Sequence, residues 1–184
     1  MSSLDRLWAG WRHAYITSAS DEGGPGASST GTDPGGPDGA QRCVFCRILA
    51  SEAPDAETHV VWRHPDGEVV ALLNAYPYAS GHLMVMPARH VADLDALGPA
   101  ESATLWQGVI DATRALQAAY GPDGLNVGAN LGHAAGAGVP GHLHIHVLPR
   151  WVGDTNFMTS VANTRVLPEA LSVSDEKLRG AWPG

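Results

Sequence analysis

Apolar residues alternate with histidines from Gly141 to Val147 in the stretch Gly141-His142-Leu143-His144-Ile145-His146-Val147-Leu148-Pro149-Arg150. Period-two alternation predicts a half-buried strand, with Leu143, Ile145 and Val147 turned into a core. His142, His144 and His146 then share the opposite face, about 6.5–7 Å apart along it. Thr58–Trp62 and Glu68–Leu73 read as two further strands, joined by the turn His64-Pro65-Asp66-Gly67. Gly81–Pro87 is a third apolar strand, set off by Asn74 and the chain-breaking Pro77, and Gly124–Leu131 is a glycine-containing fourth. Pro99–Tyr120 has Leu105, Trp106, Val109, Ile110, Leu116 and Tyr120 at helical spacing. It predicts one long helix, with Pro99 in its first turn, Gly121-Pro122 as its stop and Trp106 in the core. Smaller helical pieces are expected through Leu94 and Leu97 and around Pro168–Leu171.

The 184 residues suit one domain with appendages. An aromatic arm at 1–16 is followed by a Gly/Ser/Pro-rich linker at 17–41, a domain at 42–160 and a tail at 161–184. A formal charge of −8 argues against a general binder of nucleic-acid polymers. An anionic ligand would have to meet positive potential concentrated locally. No stretch approaches a membrane span, and the start lacks the apolar region of a secretory signal. Two cysteines in Cys-x-x-Cys are no disulfide framework, so a cytoplasmic protein is expected.

Three imidazoles on one open face are expensive as packing and well suited to chemistry near neutral pH. They could be metal ligands, or a nucleophile with two helpers. Ligands spread along one strand converge poorly on a tetrahedral metal, which favours the nucleophile and puts His144 at its centre. Cys43-Val44-Phe45-Cys46 is open between a redox pair, a zinc site and incidental thiols. The glycine-rich stretch Gly132–Pro140, just before the histidines, can bring backbone N–H groups to phosphate oxygens, and Arg150 can add positive charge. His59 and His64 read as surface residues.

From His142 to Leu148 the chain reads His-φ-His-φ-His-φ-φ, where φ is apolar. At these residues it resembles the histidine triad nucleotide hydrolases and transferases. Leu7-Trp8 through Ile16, and Trp151-Val152-Gly153-Asp154-Thr155-Asn156-Phe157, are similar to the branch that handles diadenosine tetraphosphate. The resemblance implies an α+β fold, an antiparallel sheet of about five strands with one long helix and a shorter one. It implies attack by His144 on the α-phosphorus of a dinucleoside polyphosphate to give a nucleotidyl-histidine, with His142 and His146 beside it. Asn74, His82, Asn130, Gly136, Ala137, Gly138 and His146 would contact the nucleotide. Cys43, Cys46, His90 and His142 would hold a structural zinc. A homodimer through the long helices and a sheet edge is also implied. The chain departs from the family's usual Ala-Gly-Gln-Ser/Thr, having Ala135-Gly136-Ala137-Gly138. That leaves backbone groups to hold phosphate and leaves the acceptor open, water or inorganic phosphate. A phosphoramidase, a nucleotide-binding regulatory module and a zinc-binding interaction protein are the alternatives.

Overall fold

A computed structural model describes residues 37–154 and 169–183. The arm at 1–16, linker residues 17–36, Asn156, Phe157 and Pro168 lie outside them. Helices α1 (Pro37–Arg42) and α2 (Val44–Leu49) come first, and α1 crosses the boundary expected between linker and domain. They are followed by a single turn, α3 (Asp55–Thr58). Strands β1 (Val60–Arg63), β2 (Val69–Leu73) and β3 (Leu83–Pro87) lead to the long helix α4 (Pro99–Tyr120). Strands β4 (Gly124–Gly128) and β5 (Ile145–Arg150) and a last helix, α5 (Leu171–Ala181), complete the chain. The sheet is antiparallel throughout, in the order β1-β2-β3-β5-β4. The piece expected near Leu94 is one 3-10 turn, Leu94–Ala96. No helix among the described residues is long and apolar enough to cross a membrane.

The sheet's two faces follow from the alternation. Val69, Ala71, Leu73, Leu83, Val85, Leu143, Ile145 and Val147 face Leu105, Val109 and Leu116 of α4. On the other face Val60, Val70, Leu72, Met84 and Met86 are covered by Cys43 and Phe45. The limits of α4 are those predicted, and Gly121 closes it in the left-handed region at φ 53°. Its buried stripe differs from the expected one. Gly108, Ala112 and Ala115 join Leu105, Val109 and Leu116, while Trp106 is 50% exposed and Ile110 43%. Small residues let the helix lie close: a Cβ on Gly108 would stand 3.1 Å from Val85 Cγ1. The larger side chains are thereby turned outward.

Strand boundaries shift where tertiary contacts intervene. Thr58 belongs to α3, and His59 caps that helix with φ 57°, so β1 starts only at Val60. The ladder on β5 starts at Ile145, which leaves His142 and His144 on the extended lead-in. Their alternation nevertheless continues, because the Leu143 N–H is bonded to the Val91 carbonyl. The carboxy-terminal segment is no loose tail. Leu178 of α5 is fully buried in the core under α4, and Trp182 stacks on Trp62 at 5.2 Å between ring centroids.

Gly81 sits where the chain must pass α4 with no side chain. Its φ is +77°, and a Cβ would lie 2.7 Å from Tyr120 Cε2. Left-handed strain and overpacking add here, so Gly81→Ala is expected to lower the unfolding free energy by about 2–4 kcal/mol. Urea denaturation of the two proteins measures it; a loss under about 1 kcal/mol would contradict this packing.

Candidate functional site

Two clusters of histidine meet at one turn of chain. In the first, Cys43, at the N-cap of α2, and Cys46 on that helix approach His90, just past β3, and His142. Their ligand atoms all lie within 4.8 Å of one another. Cys43 Sγ is 3.4 Å and Cys46 Sγ 3.5 Å from His142 Nδ1, and Cys46 Sγ is 3.3 Å from His90 Nδ1. The S···N edge of a tetrahedron about zinc, from Zn–S near 2.3 Å and Zn–N near 2.0–2.1 Å, is about 3.6 Å. The donor set and its spacing therefore fit a tetrahedral metal held by two thiolates and two imidazoles. The imidazole is prepared for that role. His142 Nε2 lies 2.9 Å from the Pro87 carbonyl, which can only accept, so the ring proton is on Nε2 and the Nδ1 lone pair faces the thiols. Burial holds His142 neutral, its pKa pulled down to about 4. Burial, and next the neighbouring Cys43, push the Cys46 thiol up to about 11. A bound cation reverses that effect.

The second cluster begins two residues later. His144 Nδ1 is 2.7 Å from the carbonyl oxygen of His142, so it carries the proton and donates it. Nε2 is left with its lone pair, on a ring that lines a cavity of about 660 Å³. Burial lowers the pKa of His144 from its ordinary value, against the opposing effect of the His142 carbonyl, and keeps the ring neutral and nucleophilic. His146 is fixed by a chain of hydrogen bonds. The Tyr78 N–H donates to His82 Nδ1 at 3.1 Å, so the His82 proton sits on Nε2. That Nε2–H lies 2.9 Å from His146 Nδ1 and donates to it, which places the His146 proton on Nε2 as a donor. The rings of His144 and His146 meet edge to face at 5.0 Å.

The cavity lies on the sheet face opposite α4. The pairings Val60↔Leu72, Leu72↔Met84 and Met84↔His146 span three strand spacings, about 14 Å from the triad to the start of β1. Asn74, Asn130, Gly136, Gly138, His144 and His146, all singled out from the sequence, line it together. Asn74 is also a turn former, its Oδ1 taking the Tyr76 N–H at 2.9 Å.

Other expected residues sit elsewhere. His142 is turned into the thiol cluster and does not line the cavity. His82 is fully buried behind His146. Ala137 is buried beneath the loop, and the N–H groups of Gly136 and Ala137 are bonded to the His133 and Gly132 carbonyls. Gly138 and Val139 are the loop members on the cavity wall whose N–H groups make no such internal bond. Arg150 is at the far end of β5, paired with Gly124. Its guanidinium is bound to Asp154 at 2.6 Å and to Asn126 at 2.7 Å.

Sequence reasoning missed the apolar wall of Val44, Phe45 and Ile48, on the same helix as the cysteines. Phe45 touches both rings, 5.5 Å from His142 and 5.2 Å from His144 between centroids. The apolar pair inside Cys-x-x-Cys was its one visible signal. Tyr76 and Tyr78 were also missed, and so was His59, which lines the cavity although it was expected at the surface.

Residues 53–152 match the HIT domain model. The chain belongs to the histidine triad (HIT) family. A HIT relative from Mycobacterium tuberculosis, described as AP-4-A phosphorylase, is 38% identical over 180 residues, 97% of this chain and 85% of its own length. Among solved structures, a Zn-bound HIT protein from Mycobacterium smegmatis is 30% identical with a TM-score of 0.60, over 77% of this chain and 94% of that one. A histidine triad nucleotide-binding protein from Sulfolobus tokodaii is 27% identical with a TM-score of 0.61, over 76% and 91%. This chain is accordingly a nucleotide-processing HIT enzyme, with a cluster able to hold a metal.

Purified protein is expected to carry close to one tetrahedral metal per chain, measured by plasma mass spectrometry. Cys46→Ser should lose most of it and melt several degrees lower. Full metal content in Cys46→Ser would show that the cluster is not the binding site.

Proposed function

We propose that the chain transfers a nucleotidyl group out of dinucleoside polyphosphates, such as diadenosine tetraphosphate, through a covalent intermediate on His144. The observation that carries this reading is the fixed tautomer of His144: Nδ1–H is committed to the His142 carbonyl and Nε2 keeps its lone pair at a cavity wall. The Nε2 pair attacks the α-phosphorus in line, forming a P–N bond as the bond to the bridging oxygen of the departing polyphosphate breaks. His146, protonated on Nε2 through the His82 relay, donates to that oxygen or to the phosphoryl group. The Gly138 N–H and the side chain of Asn130, both on the cavity wall, take phosphate oxygens in this reading, and Asn74 contacts the sugar. In the second step the acceptor attacks phosphorus, the P–N bond breaks and its electron pair returns to Nε2. Splitting one difficult displacement into two is what the nucleophile contributes.

The 38% identity to a relative described as AP-4-A phosphorylase, over nearly the whole chain, supports this substrate class and favours inorganic phosphate as acceptor. For the metal we propose zinc, held by Cys43, Cys46, His90 and His142 in a structural role. It supplies no chemistry to the reacting phosphorus and anchors α2 to the histidine strand. Reduced thiols of this kind fit a cytoplasmic enzyme. We also propose a homodimer through the outer face of α4, where Trp106 and Ile110 are exposed, and the edge strand β4, where Val127 is exposed.

Incubation with diadenosine tetraphosphate, with and without phosphate, tests the activity. ADP and ATP formed only with phosphate are expected; AMP and ATP formed without it would make the enzyme a hydrolase. His144→Ala should lose at least about a thousandfold in kcat while still binding nucleotide, and retained turnover would end the nucleophile assignment. Trp106→Glu is expected to sediment as a monomer, and an unchanged sedimentation coefficient would reject the α4 interface.

A further inference from the structure

His59 is unusual in three ways. Among the described residues it is the one non-glycine with a positive φ, 57°, closing α3 as its left-handed cap. Its Nδ1 is buried with no hydrogen-bond partner, 4.0 Å from Oδ1 of Asp175. Its ring nevertheless lines the cavity, at the opposite end from the triad. Because the His59 carbonyl takes the Leu73 N–H at 3.0 Å, the residue is held one step from Asn74, on the same rim.

A left-handed cap is ordinarily glycine or asparagine, so an imidazole there accepts backbone strain that a simple turn does not need. Asp175 is itself buried and bonded to Arg179 Nε at 2.7 Å, and Arg179 also donates to the Val60 carbonyl. The carboxylate is thus immobile beside Nδ1 and favours the tautomer protonated there. With Nδ1 buried and the side chain 29% exposed, the edge left for a ligand is the other one, where Nε2 is an acceptor in that tautomer. Nearby, Thr58 Oγ1 is turned back to the Pro54 and Asp55 carbonyls of its own helix, and Val44, Phe45, Ile48 and Leu72 are apolar.

Resting on the nucleotide reading above, with phosphate at the triad and sugar near Asn74, we infer that His59 reads the nucleobase. Nε2 accepts a hydrogen from the exocyclic amino group of adenine. Guanine presents a carbonyl oxygen at the same position and meets an acceptor with an acceptor. Asp175 is a positioning residue for this contact, acting through Nδ1.

Binding of AMP and of GMP to the full-length protein, by titration calorimetry, tests this without requiring turnover. The parent should bind AMP about tenfold or more tightly than GMP, as one hydrogen bond matched against one left unmade implies. His59→Gly, which keeps the left-handed backbone relaxed, should bring the two within about twofold. Asp175→Asn, which keeps the ring and changes what faces Nδ1, should shift the ratio the same way. An unaltered preference in His59→Gly overturns the assignment, and so does a parent that binds the two nucleotides equally. If the preference behaves as stated but no dinucleoside polyphosphate is turned over, the substrate proposal falls and the base contact stands.

Discussion

The hydrogen bond from His144 Nδ1 to the carbonyl of His142 is the constraint on which the site depends. It decides which nitrogen of His144 bears a lone pair, and it ties that decision to the residue whose own ring faces the thiols. His142 serves with three groups at once. Nδ1 faces Cys43 and Cys46, Nε2 donates to Pro87, and the carbonyl orients His144. Any force that rotates the His142 peptide is felt at the His144 ring. The thiol–imidazole cluster and the ring on the cavity wall are therefore two ends of one short piece of chain.

The relay at His146 has the same logic on the other side. A backbone N–H fixes His82, His82 fixes His146, and each proton position follows from a donor that has no alternative. A fully buried His82 is costly unless both its nitrogens are satisfied, and here the relay satisfies them. The triad thus holds two rings of opposite polarity side by side, one presenting a lone pair and the other a proton. An acidic chain reaches that arrangement with no lysine or arginine lining the cavity among the described residues.

Much of this was legible in the residues. Pro99 and Gly121 bound α4 by local chemistry, and the alternation of His142 to Val147 follows from backbone geometry, so both were readable. The four metal-cluster residues could be named because thiols and imidazoles at those positions resemble a known set. What was not readable depends on contacts between distant segments. Trp106 is turned out because Gly108 and the alanines of α4 seat the helix closely on Val85. Arg150 is neutralised by an aspartate one turn later, and spacing alone does not tell a phosphate ligand from an internal ion pair. His59 was misjudged because its neighbour Asp175 lies 116 positions further along the chain.

The docking of α5 onto β1 also bears on how the protein is made. Arg179 is bonded to Val60, 119 residues earlier, and Trp182 closes over Trp62. During synthesis the first strand leaves the ribosome long before the helix that must grip it, and contacts so remote in sequence form slowly. Until α5 emerges, the edge of the sheet and the rim beside His59 have no backing. A nascent chain can assemble the histidine strand and its thiol partners, but it acquires a complete binding wall only once α5 has been made and has docked.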